Sequence, residues 1–475
     1  MFIPSRIRIL DDTTMEKIHM GTAEVLERCG INFENEQAIK ILQQAGAHID
    51  GKNVKIPIEL FEKSLSMTPS SFTMCGLNKK NAFVVGEGQT RARTDPSFGP
   101  IFIQEEGKGR RLPLVKDLIE CYKLHQASEF CDVAGGMPVD PTDSPAEGQH
   151  LHLLHAMVRH LDKPLRTYIS TRKEFEEMCA LYEIAAGKKG WLDEHVSFFL
   201  TINPLSPMSY EESSLESMIL YAEKHQAVCL QSCAITGFTS PMSLLGTTVL
   251  QNAEILAGNV LLQTVNPGTP FLFGATSSRP DMRTGSYVCA SPEADLMNLP
   301  SIQIAKERYH IPTRMMCGIT DAKITDAQAG LETMQTMMTA VLAGTDMLHG
   351  MGSIDSMNGT AHEKFLMGQE IFSRINCFMK GILELDSNLS VEEIIETAPS
   401  GTYMMNDATI MNCGNTWHPI VSTQDPIAIW EEEGATNLAE RARDLAKKVI
   451  SESPIMLLDK EKDEEIIKFI KKCGY

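Results

Sequence analysis

The chain has 475 residues, a formal net charge of −19, 43% apolar and 22% charged residues. Such acidity excludes a nucleic-acid binder, which needs a basic face to neutralise phosphates, and the composition is far from that of a disordered chain. A chain of this size can bury a large core without disulfide staples.

No apolar run approaches the roughly 20 residues that span a bilayer. The segment Met1–Arg8 lacks an apolar stretch and a cleavage site. The 12 cysteines are scattered, with no Cys-x-x-Cys, as expected of a reducing compartment. The expectation is a cytoplasmic protein with no membrane segment.

Residues 1–88 read as a helical cap. Asp11-Asp12-Thr13-Thr14 can cap a helix ending near Gly30, a second helix follows Asn35, and a third covers Ile58–Leu65. From 89 to 389 the pattern changes to short apolar runs alternating with amphipathic segments. The predicted strands are Thr90–Asp95, Cys131–Gly136, Leu165–Ser170, Val196–Asn203, Ala227–Ser232, Phe271–Thr276, Thr313–Thr320 and Asp346–Gly352. Helices are predicted between them at Val115–Gln126, Glu147–His160, Lys173–Ala186, Ser213–Lys224, Leu244–Ala257, Glu293–Arg308 and Asp326–Leu342. This alternation predicts an α/β fold, a (β/α)8 barrel. A doubly wound sheet would show a glycine-rich phosphate turn after its first strand, and Asp95–Pro100 has none. Residues 390–475 read as a helical extension, with helices at Val391–Thr397, Asn437–Ser451 and Asp463–Lys472, packed outside the barrel or used in assembly.

In such barrels the chemistry sits at the carboxyl ends of the strands. Those ends carry Asp95, Phe98, Met137, Ser170, Asn203, Ser232, Thr276, Thr320, Asp321, His349 and Asp355. They hold no glutamate pair for glycoside hydrolysis and no Gly-x-Ser-x-Gly elbow. His150, His152, His155 and His160 cluster on one helix, without a His-Glu-x-x-His frame or a cysteine at ligand spacing. They read as packed or solvated helix residues, and no metal site is expected. Cys317 reads as strand core, and Gly350–Ser353 is a weak phosphate turn.

The stretch Gly318–Gly330, with Thr320-Asp321-Ala322-Lys323 and Asp326-Ala327-Gln328-Ala329-Gly330, continues through Ala343–Gly352. Together these segments resemble the trimethylamine methyltransferase superfamily, and Leu10–Gly30 and Gly46–Gly51 look like its N-terminal region. Founding members carry pyrrolysine after strand eight, where this chain has Ser353–Thr360 in standard residues. The resemblance therefore implies the non-pyrrolysine branch: methyl transfer from a quaternary amine such as glycine betaine, proline betaine or carnitine to the Co(I) corrinoid of a separate protein. It implies no corrinoid held by this chain, and the cobalt-ligating Asp-x-His-x-x-Gly motif does not occur here. The expected partners are the small quaternary amine, a cognate corrinoid protein and further copies of the chain.

A quaternary ammonium has no N–H to donate, so its recognition relies on aromatic faces and carboxylates. The catalytic candidates are His349 and Asp95, the latter facing the ammonium. The substrate-binding candidates are Phe98, Phe102, Tyr168, Asn203, Phe273, Thr320, Lys323 and Asp355, with Tyr168, Phe199 and Phe273 also readable as barrel core. Two rival readings are a barrel lyase or aldolase using the Lys323 amine, and a betaine-binding protein without catalysis.

Overall fold

The computed structural model describes residues 6–105, 107–382 and 389–475. Eight parallel strands form one sheet that curls on itself. Numbering only these, β1 is Arg93–Pro96, β2 Ala134–Gly135, β3 Leu165–Arg166 and β4 Phe198–Ile202. The others are β5 Ala227–Ser232, β6 Phe271–Ala275, β7 Thr313–Met316 and β8 Met347–Met351. β8 returns to pair with β1, with His349 opposite Asp95. The seam between β1 and β2 is closed by the N–H groups of Asp132 and Val133, which donate to the Thr94 carbonyl at 3.0 and 3.1 Å. Every predicted strand lies in the sheet, several with fewer residues than expected. The fold is the (β/α)8 barrel.

Helices run back outside the strands at Val115–Ala127, Gln149–His160, Arg172–Ala186, Glu212–Glu223, Leu244–Val265, Pro292–Glu307, Ala327–Leu342 and His362–Met379. Local chemistry starts several of them. Thr171 and Glu174 form a capping box, and the Asp326 carboxylate accepts from the N–H of Ala329. Leu244–Val265 is buried on almost every face, with Gln251, Asn252, Glu254, Asn259 and Gln263 buried among its apolar residues. Its outer side is covered by the N-terminal helices Asp12–Glu24, Glu36–Gln44 and Ile58–Met67.

The N-terminal block is less purely helical than its sequence reads. It also contributes five short strands, each too brief to display a period of two. Ile31–Phe33 pairs with Ser209–Tyr210 in the loop after β4. The hairpin Ser71–Met74/Phe83–Gly86 packs Met74, Phe83 and Val85 against Val133, Phe199, Ala227, Cys229, Leu272 and Met347. These last residues lie inside the barrel toward its amino end, so the hairpin stoppers the base.

Side chains alternate faces along a strand. In β6, Leu272 and Gly274 face the barrel interior and Phe273 faces the helices. A Cβ on Gly274 would lie 2.4 Å from Cβ of Gln231, so only glycine fits there. Of the tail, Leu438–Glu452 packs on Val115–Ala127 and His362–Met379, and Lys460–Lys472 on Gln149–His160 and Arg172–Ala186. No described helix is long and apolar enough to cross a membrane.

Candidate active site

The barrel interior has two chemically distinct layers. Below lie the apolar residues that meet the hairpin. Above, toward the mouth, the side chains of Asp95 of β1, Arg166 of β3, Gln231 of β5 and His349 of β8 meet that of Arg314, which rises from the second residue of β7. Asp95 and His349 are each 1% exposed, Arg166 4% and Arg314 0%.

Asp95 is the hub of this layer. Its Oδ1 accepts from Arg314 Nε at 3.1 Å and its Oδ2 from Arg314 Nη2 at 2.7 Å, a bidentate clamp. Arg166 Nη1 donates to the same Oδ2 at 3.0 Å, and His349 Nδ1 lies 3.0 Å from it. Arg314 Nη1 also donates to the Gln231 side-chain oxygen. Two guanidiniums and a histidine hold the Asp95 carboxyl far below the usual carboxylate range, against the opposing push of burial. Burial and the two arginines push the His349 imidazole down to about 3. Burial, together with the neighbouring Arg314 charge, pushes Arg166 down to about 9. At neutral pH the layer therefore holds an ionised Asp95, a neutral His349 and two charged arginines.

Sequence reasoning named Asp95 and His349, and the structure brings them together. The Asp95 charge is already taken up by the two arginines instead of standing free for an ammonium. Phe98 joins the layer from the loop after β1, its ring 4.3 Å from the Arg166 guanidinium carbon. The backbone there is glycine because a Cβ on Gly136 (φ +68) would lie 2.9 Å from the Phe98 ring. Arg166, Gln231 and Arg314 were missed. The available signal was an arginine inside an otherwise apolar barrel strand, as in Thr313-Arg314-Met315-Met316.

The other candidates lie apart from this layer. Phe273 is fully buried against the helices. Tyr168 donates its hydroxyl to the His150 carbonyl at 2.6 Å and lines a side cavity of about 250 Å³ with Met137, Glu174 and Tyr475. Asn203 is exposed. Phe102 stacks under Arg110, 5.0 Å from its guanidinium carbon.

Thr320, Lys323 and Asp355 belong to a loop clamp. Thr320 donates to Glu332 at 2.5 Å. Asp321 accepts from the N–H groups of Cys289 and Ala290 and from the Ser356 hydroxyl at 2.6 Å, tying together the loops after β6, β7 and β8. Lys323 is exposed and pairs with Asp355 at 3.1 Å, outside the buried layer. The segment after β8 carries three successive non-glycine residues in the left-handed region, Asp355 (φ 51), Ser356 (φ 53) and Met357 (φ 73). Backbone bonds from Asp355 to Ala322 and from Ser356 to Thr320 hold this costly conformation in place. Lys364, fully buried, donates to the Gly318 carbonyl at 2.9 Å, and burial pushes its amine down to about 7.

Two of the four helix histidines are taken up by neighbours: His150 faces Glu177 at 2.7 Å and His155 faces Asp463 at 2.6 Å. Cys317 is fully buried, and burial pushes its thiol up. A cavity of about 820 Å³ opens at the opposite end of the barrel, among Gly86–Ala92, Lys306, Asp346 and Phe372. It is remote from the charged layer.

A closed parallel barrel with a buried, charge-dense layer at the carboxyl ends of its strands defines a (β/α)8 protein with its site in the barrel mouth. The chain belongs to the trimethylamine methyltransferase (MTTB) family, whose model matches residues 3–473. It is 33% identical to a glycine betaine methyltransferase of Desulfitobacterium hafniense over 99% of this chain and 98% of that one. It is 27% identical to a proline betaine:corrinoid methyltransferase of Eubacterium limosum, covering 82% of each chain. The fold resembles the crystal structure of the Methanosarcina barkeri monomethylamine methyltransferase, with a TM-score of 0.54 at 12% identity over 94% of this chain and 88% of that one.

Proposed function

We propose that this protein transfers a methyl group from a quaternary amine of the betaine kind to the Co(I) corrinoid of a separate protein. The observation that carries the reading is the makeup of the buried layer, whose one carboxylate is already clamped by two arginines and faced by His349. His349 is pushed down to about 3 and Asp95 is held ionised, so neither presents an acid poised near neutrality. A quaternary ammonium needs none. Its methyl carbon is attacked in line by the cobalt electron pair, the C–N bond breaks toward nitrogen, and a neutral tertiary amine leaves. The task left to this chain is to position the cation, exclude water and aim the methyl outward. His349 and Asp95 form the floor against which the substrate is held, and Phe98 offers an aromatic face. The names of the glycine betaine and proline betaine relatives support the substrate class.

The corrinoid is the methyl acceptor, carried by the partner. Exposed apolar side chains ring the mouth, from Ile101, Ile169, Leu205, Phe238, Met282 and Ile324 on six different strand-end loops. A rim of this kind suits a protein seated over the mouth. The test is turnover of glycine betaine, proline betaine or carnitine with a reduced corrinoid protein, read by the visible absorbance of the corrinoid, with trimethylamine in parallel. The expected result is conversion with at least one betaine and none with trimethylamine. No spectral change with any betaine defeats the substrate assignment.

A further inference from the structure

The charged layer does not balance. With His349 neutral and Asp95 ionised, Arg166 and Arg314 leave it one positive charge in excess, with the two arginines only 4% and 0% exposed. A buried surplus charge is costly unless a counter-charge meets it. Arg314 is fully used, clamped on Asp95 and Gln231. Arg166 is not. Every polar contact of its side chain runs through Nη1, which donates to Asp95 and to the Pro96 carbonyl and lies 3.2 Å from His349 Nδ1, and its Nε is buried with no partner among the described residues. The Nε/Nη2 edge of a guanidinium is a planar two-donor fork that matches a carboxylate. The hydroxyl of Thr201 in β4, the strand next to that of Arg166, is likewise buried with no partner among the described residues.

We infer that the free edge of Arg166 is the seat of the substrate's carboxylate, making Arg166 the residue that selects carboxylate-bearing betaines over other quaternary amines. This rests on the methyl-transfer reading above and deepens it. The carboxylate neutralises the surplus charge. Phe98, stacked on the same guanidinium at 4.3 Å and only half-buried, then lies beside the ammonium end. A carboxylate at the floor points the trimethylammonium toward the open mouth, where its methyl must be presented. A cation lacking the carboxylate meets a site already positive.

The test is calorimetric binding to the full chain with no corrinoid protein present, so that its outcome is independent of whether methyl transfer occurs. Glycine betaine is compared with its methyl ester and with choline, both of which keep the trimethylammonium and lack the negative charge. The wild type is expected to bind glycine betaine about 30-fold more tightly than either, as suits a charged hydrogen-bonded pair. Arg166→Gln is expected to erase that preference and Arg166→Lys to keep part of it. Equal wild-type affinity for betaine and ester overturns the assignment, as does a folded Arg166→Gln protein that retains the preference. The wild-type series decides the matter even if Arg166→Gln fails to fold.

Discussion

The two ends of the barrel use the same charged groups to different ends. At the base, the Asp346 carboxylate is met by Lys306 Nζ at 2.8 Å on both oxygens and by the N–H and hydroxyl of Thr313 at 2.7 and 3.0 Å. One cation answers one anion, and every bond is internal to the scaffold. The second basal carboxylate, Asp132, is bound by Arg91 and Arg93, whose side chains keep 20% and 13% of their surface in water, so the extra charge there is hydrated. At the mouth the same two-to-one ratio occurs with the arginines 4% and 0% exposed. A surplus that water relieves is architecture. One that nothing in the scaffold relieves is where we place the substrate's carboxylate.

Cutting the mouth hub is expected to have the largest effect. Arg314→Met removes the bidentate partner of a fully buried carboxylate, leaving Asp95 with one guanidinium. Breaking such a pair costs about 3–5 kcal/mol, which denaturant unfolding will read, and methyl transfer should disappear with it. The basal counterpart, Lys306→Met, takes away the one cation paired with the buried Asp346 and is expected to cost about as much in stability, about 3–5 kcal/mol, but nothing in turnover. The folded Lys306→Met fraction should turn over at the wild-type rate. If it loses activity in proportion to Arg314→Met, the distinction between the two ends is wrong.

How much of this was legible in the sequence follows from where each signal lives. The barrel strands were legible because strands buried on both faces read as unbroken apolar runs, and Ala227–Ser232 occupies the predicted residues. Asp95 and His349 were legible because strand ends are where barrel chemistry collects. Arg166 and Arg314 were not, since their meaning is a shared partner 71 and 219 positions away. Phe273 faces the helices although its strand begins at the predicted Phe271, because a run apolar on both faces does not say which parity points inward. Helix His362–Met379 escaped because its buried face includes Glu363, Lys364, Gln369 and Glu370, so its sequence lacks a clean apolar stripe.

Acid separates the two ends more gently. The folded-state value of His349 is depressed to about 3 from an unfolded value of about 6.5. The unfolded chain therefore binds the extra proton first. The stabilisation is complete above about pH 6.5 and drains away as pH falls toward 3. His125 and His160, pushed by burial to about 3 and about 4, act in the same direction. His349→Gln should flatten the slope of stability between pH 6.5 and 4.5 without abolishing it, since the other two histidines remain. An unchanged slope in the variant would mean that His349 titrates normally in the folded protein.

The smallest effect is expected at Lys323. Its side chain is 69% exposed and pairs with Asp355 on the loop clamp, so Lys323→Ala should change stability by no more than about 0.5 kcal/mol. Its consequence for mechanism is larger than its energy. A lyase or aldolase built on the Lys323 amine would lose all turnover in this variant and would trap a carbonyl substrate on borohydride reduction of the wild type. A methyl transferase whose work is done in the buried layer loses nothing but a surface ion pair. Wild-type turnover of betaine by Lys323→Ala, beside the collapse expected of Arg314→Met, would place the chemistry inside the barrel and leave the signature loop as its frame.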